Sequence, residues 1–370
     1  MRLTIFMIFV FPGLCFASDN LEERRFYFGA DLSYVNEMED CGAVYHENGV
    51  RRDPFELFSE RGSKLVRVRL WNNPDWTEYS DLEDVKRTIK RARKAGMQVL
   101  LDFHYSDDWA DGDKQIIPAA WAGIESSGEL AGVLYQFTLD TLNELQRDKL
   151  LPEMVQVGNE TNPEIMRGPG NGKDPVNWQR NALLLNAGIR AVREASRSSG
   201  SPIKIMLHIA QPENVEPWFK AAQEAGVTDF DQVGISYYRR WSTQGFEGLA
   251  STIENLHARY PSAEIILVET AYPWTLKWTD EAPNLLTENT LIEGYPATPE
   301  GQYAYLTDLT QLVMDAGGQG LVYWEPAWIS TNCSTRWGRG SHWENATFFD
   351  FNNNNEVLPA IDFMRHEYRR

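Results

Sequence analysis

The run Leu65-Val66-Arg67-Val68-Arg69-Leu70 is followed by the amphipathic segment Asp81 to Ala95 and then by Gln98-Val99-Leu100-Leu101-Asp102-Phe103. Both short runs are rich in β-formers and largely apolar, as parallel strands covered on both faces must be, and the segment between them has the period of a crossover helix. The unit repeats along the chain. Further apolar runs stand at Phe26 to Asp31, Met154 to Gly158, Ile203 to Ile209, Gln232 to Tyr238, Ile265 to Glu269 and Gly320 to Trp324, eight in all. Amphipathic stretches lie between them at Gly128 to Gln146, Gln179 to Ala195, Trp218 to Ala225, Leu249 to Tyr260 and Pro299 to Ala316. Eight β-α units predict an α/β fold, a single (β/α)8 TIM barrel, since a doubly wound sheet would seldom need so many.

The chain has 370 residues, long for one average domain but ordinary for a barrel with extended loops. No linker divides it, and Asn352 to Asn355 reads as a turn. The segments too long for tight connections are Glu37 to Asp53, His104 to Gly123, Thr161 to Asn177, Thr270 to Ala297 and Glu325 to Phe348. Each follows the C-terminal end of a strand, where a barrel keeps its active site, so the excess length reads as functional loop.

Lysine and arginine total 35 against 53 acidic residues, a formal net charge of -18. Such a surface repels nucleic acid and anionic membranes and favours a neutral partner. Most of the 13 tryptophans are expected in the core, but indole is also the side chain on which the apolar face of a sugar ring stacks.

Residues 1–17 read as a removable export signal: Arg2, the apolar run Leu3 to Phe11, a break at Pro12-Gly13, and small Ala17 before Ser18. The mature catalytic barrel is then 18–370, expected to be secreted or periplasmic. Cys15 raises a lipoprotein alternative, but Leu14 is bulkier than the usual residue before a lipidated cysteine. No second segment is long and apolar enough to span a bilayer, so no membrane insertion and a monomer are expected. Removing the signal leaves Cys41 and Cys333. They follow the first and eighth strands, which barrel closure makes neighbours, so a disulfide is expected in an oxidising compartment.

Glu160 closes the fourth run and Glu269 the seventh. Strands four and seven face each other across a barrel mouth, so both carboxylates can address one substrate, as glycosidic cleavage requires. One carboxyl protonates the leaving oxygen; the other attacks the anomeric carbon or activates water. Strand alternation puts Arg67 and Arg69 on one face, with Arg69 nearer the mouth and placed to pair with Glu269.

Gly158-Asn159-Glu160-Thr161-Asn162-Pro163, Val268-Glu269-Thr270-Ala271-Tyr272-Pro273, Leu101-Asp102-Phe103-His104-Tyr105-Ser106-Asp107 and Tyr323-Trp324-Glu325-Pro326-Ala327-Trp328 together resemble glycoside hydrolase family 53, the endo-β-1,4-galactanases. The likeness runs from about Phe28 to Phe351. It implies a retaining double displacement on galactan and the type I arabinogalactan side chains of pectin, with Glu160 as acid/base and Glu269 as nucleophile. On that mechanism Glu269 needs a low pKa and Glu160 a raised one. The resemblance further implies Asn159 as a hydrogen-bond donor to the sugar, His104 as a sugar ligand, and Trp324 as the platform beneath the cleaved residue. Tyr238, sharing a face with Ser236, is placed to hold the nucleophile. Trp71, Trp109, Trp121, Trp328 and Trp343 are weaker candidates for further subsites, and Trp121 and Trp328 could equally brace loops.

The chain departs from the family at Thr161, where many members have isoleucine, and at Arg239-Arg240, where many have proline. The calcium loop of some bacterial members is not matched by Leu276-Lys277-Trp278-Thr279-Asp280-Glu281, which lacks its histidine, so no cofactor is expected from a motif, and calcium in another oxygen-rich loop is left open. The carboxylate pair alone is shared with related mannan, xylan and β-glucan hydrolases. A non-catalytic glycan-binding protein would not need both glutamates.

Overall fold

In a computed structural model, residues 26–168 and 174–369 are described. The export signal and Cys15 lie outside them, as do 169–173 within the Thr161 to Asn177 loop. Eight parallel strands close into a barrel: β1 (Tyr27–Asp31), β2 (Leu65–Leu70), β3 (Gln98–Phe103), β4 (Met154–Val157), β5 (Lys204–Ala210), β6 (Gln232–Ser236), β7 (Glu264–Glu269) and β8 (Gly320–Tyr323). Each strand pairs with its sequence neighbours, and β1 closes on β8 through Tyr27↔Gly320 and on β2 through Asp31↔Arg67. The predicted TIM barrel is the observed fold.

The helices are α1 (Val35–Asp40), α2 (Pro54–Glu60), α3 (Leu82–Lys94), α4 (Ser127–Arg147), α5 (Trp178–Ser199), α6 (Pro212–Glu224), α7 (Phe246–Arg259) and α8 (Pro299–Asp315). Two differences from expectation have local causes. Between β1 and β2 the expected plain loop folds as α1, a hairpin (Tyr45–Glu47 and Val50–Arg52) and α2, elements too short to show a period. Helix α6 begins at Pro212 rather than near Trp218, because a proline is tolerated in the first turn, and it carries Pro217 internally. After β8, a 3-10 segment at Pro359–Arg365 packs against α8 in place of a last α-helix.

Alternation divides the apolar residues into two cores. Val66, Val68 and Leu70 of β2, Val99, Leu101 and Phe103 of β3, and their counterparts face the helices. Tyr27, Leu65, Leu100, Met154, Met206, Ile266, Val268 and Val322 fill the base of the barrel. Above this plug the interior turns polar, with Arg67, Asp102, Gln156, His208 and Ser236 all buried. At the rim Cys41 and Cys333 form the expected disulfide, with Cα atoms 5.7 Å apart across 292 residues of sequence.

Candidate active site

Arg67 organises the polar layer. Its Nη1 donates to Asp31 Oδ2 at 2.9 Å and lies 2.7 Å from Glu269 Oε1; its Nη2 donates to Asp102 Oδ2 and Asn159 Oδ1, both at 2.7 Å; and its Nε donates to Gln156 Oε1 at 3.2 Å. Four hydrogen bonds and the ion pair with Glu269 surround the guanidinium, so that one buried cation faces three carboxylates. This corrects the expectation that Arg69 pairs with Glu269. Arg69 turns instead to Glu325, at 2.6 Å, with its guanidinium between the rings of Tyr34 and Trp109 at 4.1 and 4.3 Å. The pairing of β1 with β2 explains the exchange: Asp31 lies opposite Arg67, so Arg67 stands level with the charged groups of the mouth and Arg69 rises above them.

Glu269 reaches this layer through an irregularity. On β7, Ile266 and Val268 point into the barrel, so strict alternation would turn Glu269 outward with Ile265 and Leu267. The pairing of β6 with β7 passes from Ile235↔Leu267 to Ser236↔Glu269, skipping Val268, and this bulge sets Glu269 on the inner side. Tyr238, beyond β6, donates its hydroxyl to Glu269 Oε2 at 3.0 Å, the position expected of it.

Glu160 sits in a left-handed turn, at φ 44°, immediately after Gly158 at φ 86° and Asn159. A side chain at Gly158 would meet Thr161 Cγ2 at 2.5 Å. The turn is held on both sides: Gln115 Nε2 donates to the carbonyls of Asn159 and Glu160, and Glu160 N–H donates to His208 Nδ1 at 3.3 Å. That nitrogen faces two N–H donors, Glu160 N and Gln156 Nε2 at 3.0 Å, and one acceptor, Asn159 Oδ1 at 2.9 Å that already receives Arg67, an arrangement that assigns the hydrogen to Nε2, which donates to Ser236 Oγ at 2.8 Å; the serine hydroxyl in turn hydrogen-bonds the Glu160 carboxyl. Gly112 N–H donates to Glu160 Oε2 at 3.1 Å. Burial and the charge of Arg67 hold His208 well below its usual pKa, hence neutral.

Ligating atoms of Glu160, His208 and Glu269 all lie within 4.8 Å of one another. Both histidine nitrogens are already engaged, so the trio reads as a carboxylate pair with a positioning imidazole rather than as a metal centre. A pair this close matches the retaining geometry, since inverting enzymes leave room for water between their carboxyls.

His104 differs from the expectation of a sugar ligand. Its Nδ1 accepts from Ala110 N–H at 3.1 Å and its Nε2 donates to Asp102 Oδ2 at 3.0 Å, so both nitrogens are used within the protein. Asn159 uses Oδ1 to receive Arg67 and donates Nδ2–H to Ala110 O at 2.8 Å, which leaves one amide hydrogen over. Trp324 follows β8, its backbone N–H donating to the carbonyl of Thr270, and its half-buried ring meets Trp343 edge-on at 4.7 Å. Trp71, Trp121, Trp328 and Trp343 are buried and brace the loops; among those weaker candidates only Trp109 keeps an open edge. The signal in the sequence for Gln156, His208 and Asp31 is alternation along β4, β5 and β1, which sets all three on inward-facing positions.

Burial raises the pKa of both carboxyls, Glu160 and Glu269. For Glu269 the rise reaches about 8, with Arg67 pulling it down and Glu160 adding to it; for Glu160 the hydrogen bond from Ser236 opposes the rise. The expectation of a depressed pKa at Glu269 is therefore corrected, because desolvation outweighs the arginine. Burial and mutual repulsion keep the two carboxyls from ionising together over the neutral range, and the ion pair with Arg67 and the hydrogen bond from the Tyr238 hydroxyl oppose the rise at Glu269. The unfolded chain releases both protons above the ordinary glutamate range. Folded stability accordingly falls as pH rises from about 4.5 towards about 8, by about 1.4 kcal/mol per pH unit for the one retained proton. Thermal melts between pH 5 and 8 should show this decline in the wild type and a shallower one in Glu269→Gln, which removes the group raised furthest; parallel curves for the two proteins would contradict the assignment.

Paired carboxylates at the mouth of a (β/α)8 barrel, ringed by tryptophan, define a glycoside hydrolase. The chain belongs to glycosyl hydrolase family 53, whose model matches residues 27–364. It is 55% identical over 349 residues to an arabinogalactan endo-β-1,4-galactanase of Cellvibrio japonicus (strain Ueda107), covering 94% of this chain and 93% of that one. It is 31% identical to an endo-β-1,4-galactanase of Bacillus subtilis (strain 168), covering 93% and 86%. Among solved structures, the family 53 catalytic domain of Ignisphaera aggregans superposes with a TM-score of 0.84 at 32% identity, covering 93% of this chain and 96% of that one.

Proposed function

We propose that this enzyme cleaves internal β-1,4-galactosidic linkages of galactan, including the type I arabinogalactan side chains of pectin, with retention of anomeric configuration. The observation that carries the mechanism is the approach of Glu160 and Glu269 to within 4.8 Å. Glu269 attacks the anomeric carbon as the glycosidic C–O bond breaks and Glu160 gives its proton to the departing oxygen. Glu160, now a carboxylate, takes a proton from water, and the resulting attack on the glycosyl ester frees Glu269. Membership of family 53 and the galactanases similar along nearly the whole chain support the substrate. A neutral polymer also suits a surface of net charge -18. Residues 1–17 support export of the enzyme to the periplasm or beyond.

Proton NMR of a galactan digest tests this. The first reducing-end signal to appear should be the β-anomer, with the α-anomer growing in by mutarotation. Initial α-anomer would overturn the mechanism, and cleavage of mannan, xylan or β-glucan in preference to galactan would overturn the substrate.

A further inference from the structure

Beyond Trp324, aromatic rings continue across the mouth. Trp109 lies 5.8 Å from Trp324, Trp337 lies 6.3 Å from Trp109, and Trp76 meets Trp337 edge-on at 5.1 Å. Trp337 is 38% exposed, and it belongs to no strand or helix of the barrel. It sits at the turn of a hairpin made of two two-residue strands, Ser334–Thr335 and Gly338–Arg339, whose side chains are nearly all exposed. A ribbon so short has no core of its own and little intrinsic stability. Its position is set by what ties it down. At its base is the Cys41–Cys333 disulfide to the end of α1; at its tip Arg336 donates to Asp108 Oδ2 at 3.1 Å and lies 5.1 Å above the Trp76 ring.

We propose that the disulfide is a specificity device: it roots the hairpin so that Trp337 extends the Trp324–Trp109 row into a platform for galactosyl units beyond the one cleaved. The chemistry at Glu160 and Glu269 does not depend on it. The inference rests on the galactan reading above. A closed bridge holds the platform over the cleft, so a long chain binds through several rings at once; an open bridge leaves catalysis intact and weakens the grip on polymer.

The test compares galactan with a short activated aryl galactoside that reaches only the cleaved position and its neighbour. In Cys41→Ser/Cys333→Ser, kcat on the short substrate should stay within about twofold of wild type, while KM on galactan rises roughly three- to tenfold, the range of one lost aromatic contact. Trp337→Ala should raise the galactan KM similarly. The two changes combined should add little, because the bridge acts through Trp337. An unchanged galactan KM in the serine pair, or additive losses in the combined variant, would overturn the proposal. If the serine pair fails to fold, wild-type enzyme with and without dithiothreitol carries the same test, thiol titration confirming that the bridge has opened, and an unchanged galactan KM in the reduced enzyme also overturns the proposal. Failure of the wild type to cut either galactoside would instead reject the substrate reading.

Discussion

Glu269→Gly should lose turnover on galactan by roughly four orders of magnitude or more, and azide should restore part of it by forming an α-galactosyl azide. The logic is stereochemical. With the side chain gone, the small anion enters the space below the anomeric carbon and displaces the leaving group once, giving inversion. Glu160→Ala should behave differently. On galactan it loses roughly 10²- to 10⁴-fold, because the leaving sugar hydroxyl needs a proton, but on an aryl galactoside with a good leaving group the glycosylation step is nearly spared. Azide there should attack the glycosyl-enzyme and yield the β-azide. Product anomers reversed between the two variants would exchange the roles of the two glutamates, and equal losses by Glu160→Ala on both substrates in the first step would remove Glu160 as the acid.

Arg67→Met should be the most damaging single change to the fold and to catalysis together. The substitution leaves Asp31, Asp102 and Glu269 facing one another, all buried, with the cation between them gone. Breaking a buried pair from one side costs about 3–5 kcal/mol. Loss of the arginine removes what lowers the Glu269 pKa, so Glu269 should hold its proton more firmly and the variant should recover part of its stability at acid pH while losing activity throughout. Denaturant midpoints at pH 5 and pH 8 check this. Arg69→Met, which removes only the partner of Glu325, should leave the charge on Glu269 in place. Equal losses of nucleophile ionisation in the two variants would contradict the division of labour between the arginines.

The barrel was legible because each run apolar on both faces can be satisfied only between neighbouring strands and an outer layer of helices, and the chain contains eight such runs. Glu160 and Glu269 were legible because each closes a run. Elements shorter than two helical turns were not, as α1 and α2 show, since so few residues carry no period. Trp337 was passed over for a related reason: nothing in Cys333-Ser334-Thr335-Arg336-Trp337 distinguishes a hairpin tip over the cleft from any exposed loop.

Sequence by itself determined the eight strands, the strand-end glutamates and the cysteines that closure would bring together, because these follow from residue type and period along one chain. Which arginine pairs with Glu269, and whether Glu269 faces inward at all, only the tertiary structure decided. The pairing of Asp31 with Arg67 depends on the relative height of two strands, and that height is set by the stagger of the whole closed sheet. Glu269 faces the substrate because one residue, Val268, is skipped in pairing with β6, and a one-residue slip reverses the face of every side chain beyond it. The pKa values depend on the same placement: burial raises both carboxyls, and the arginine that the barrel sets beside Glu269 opposes the rise there.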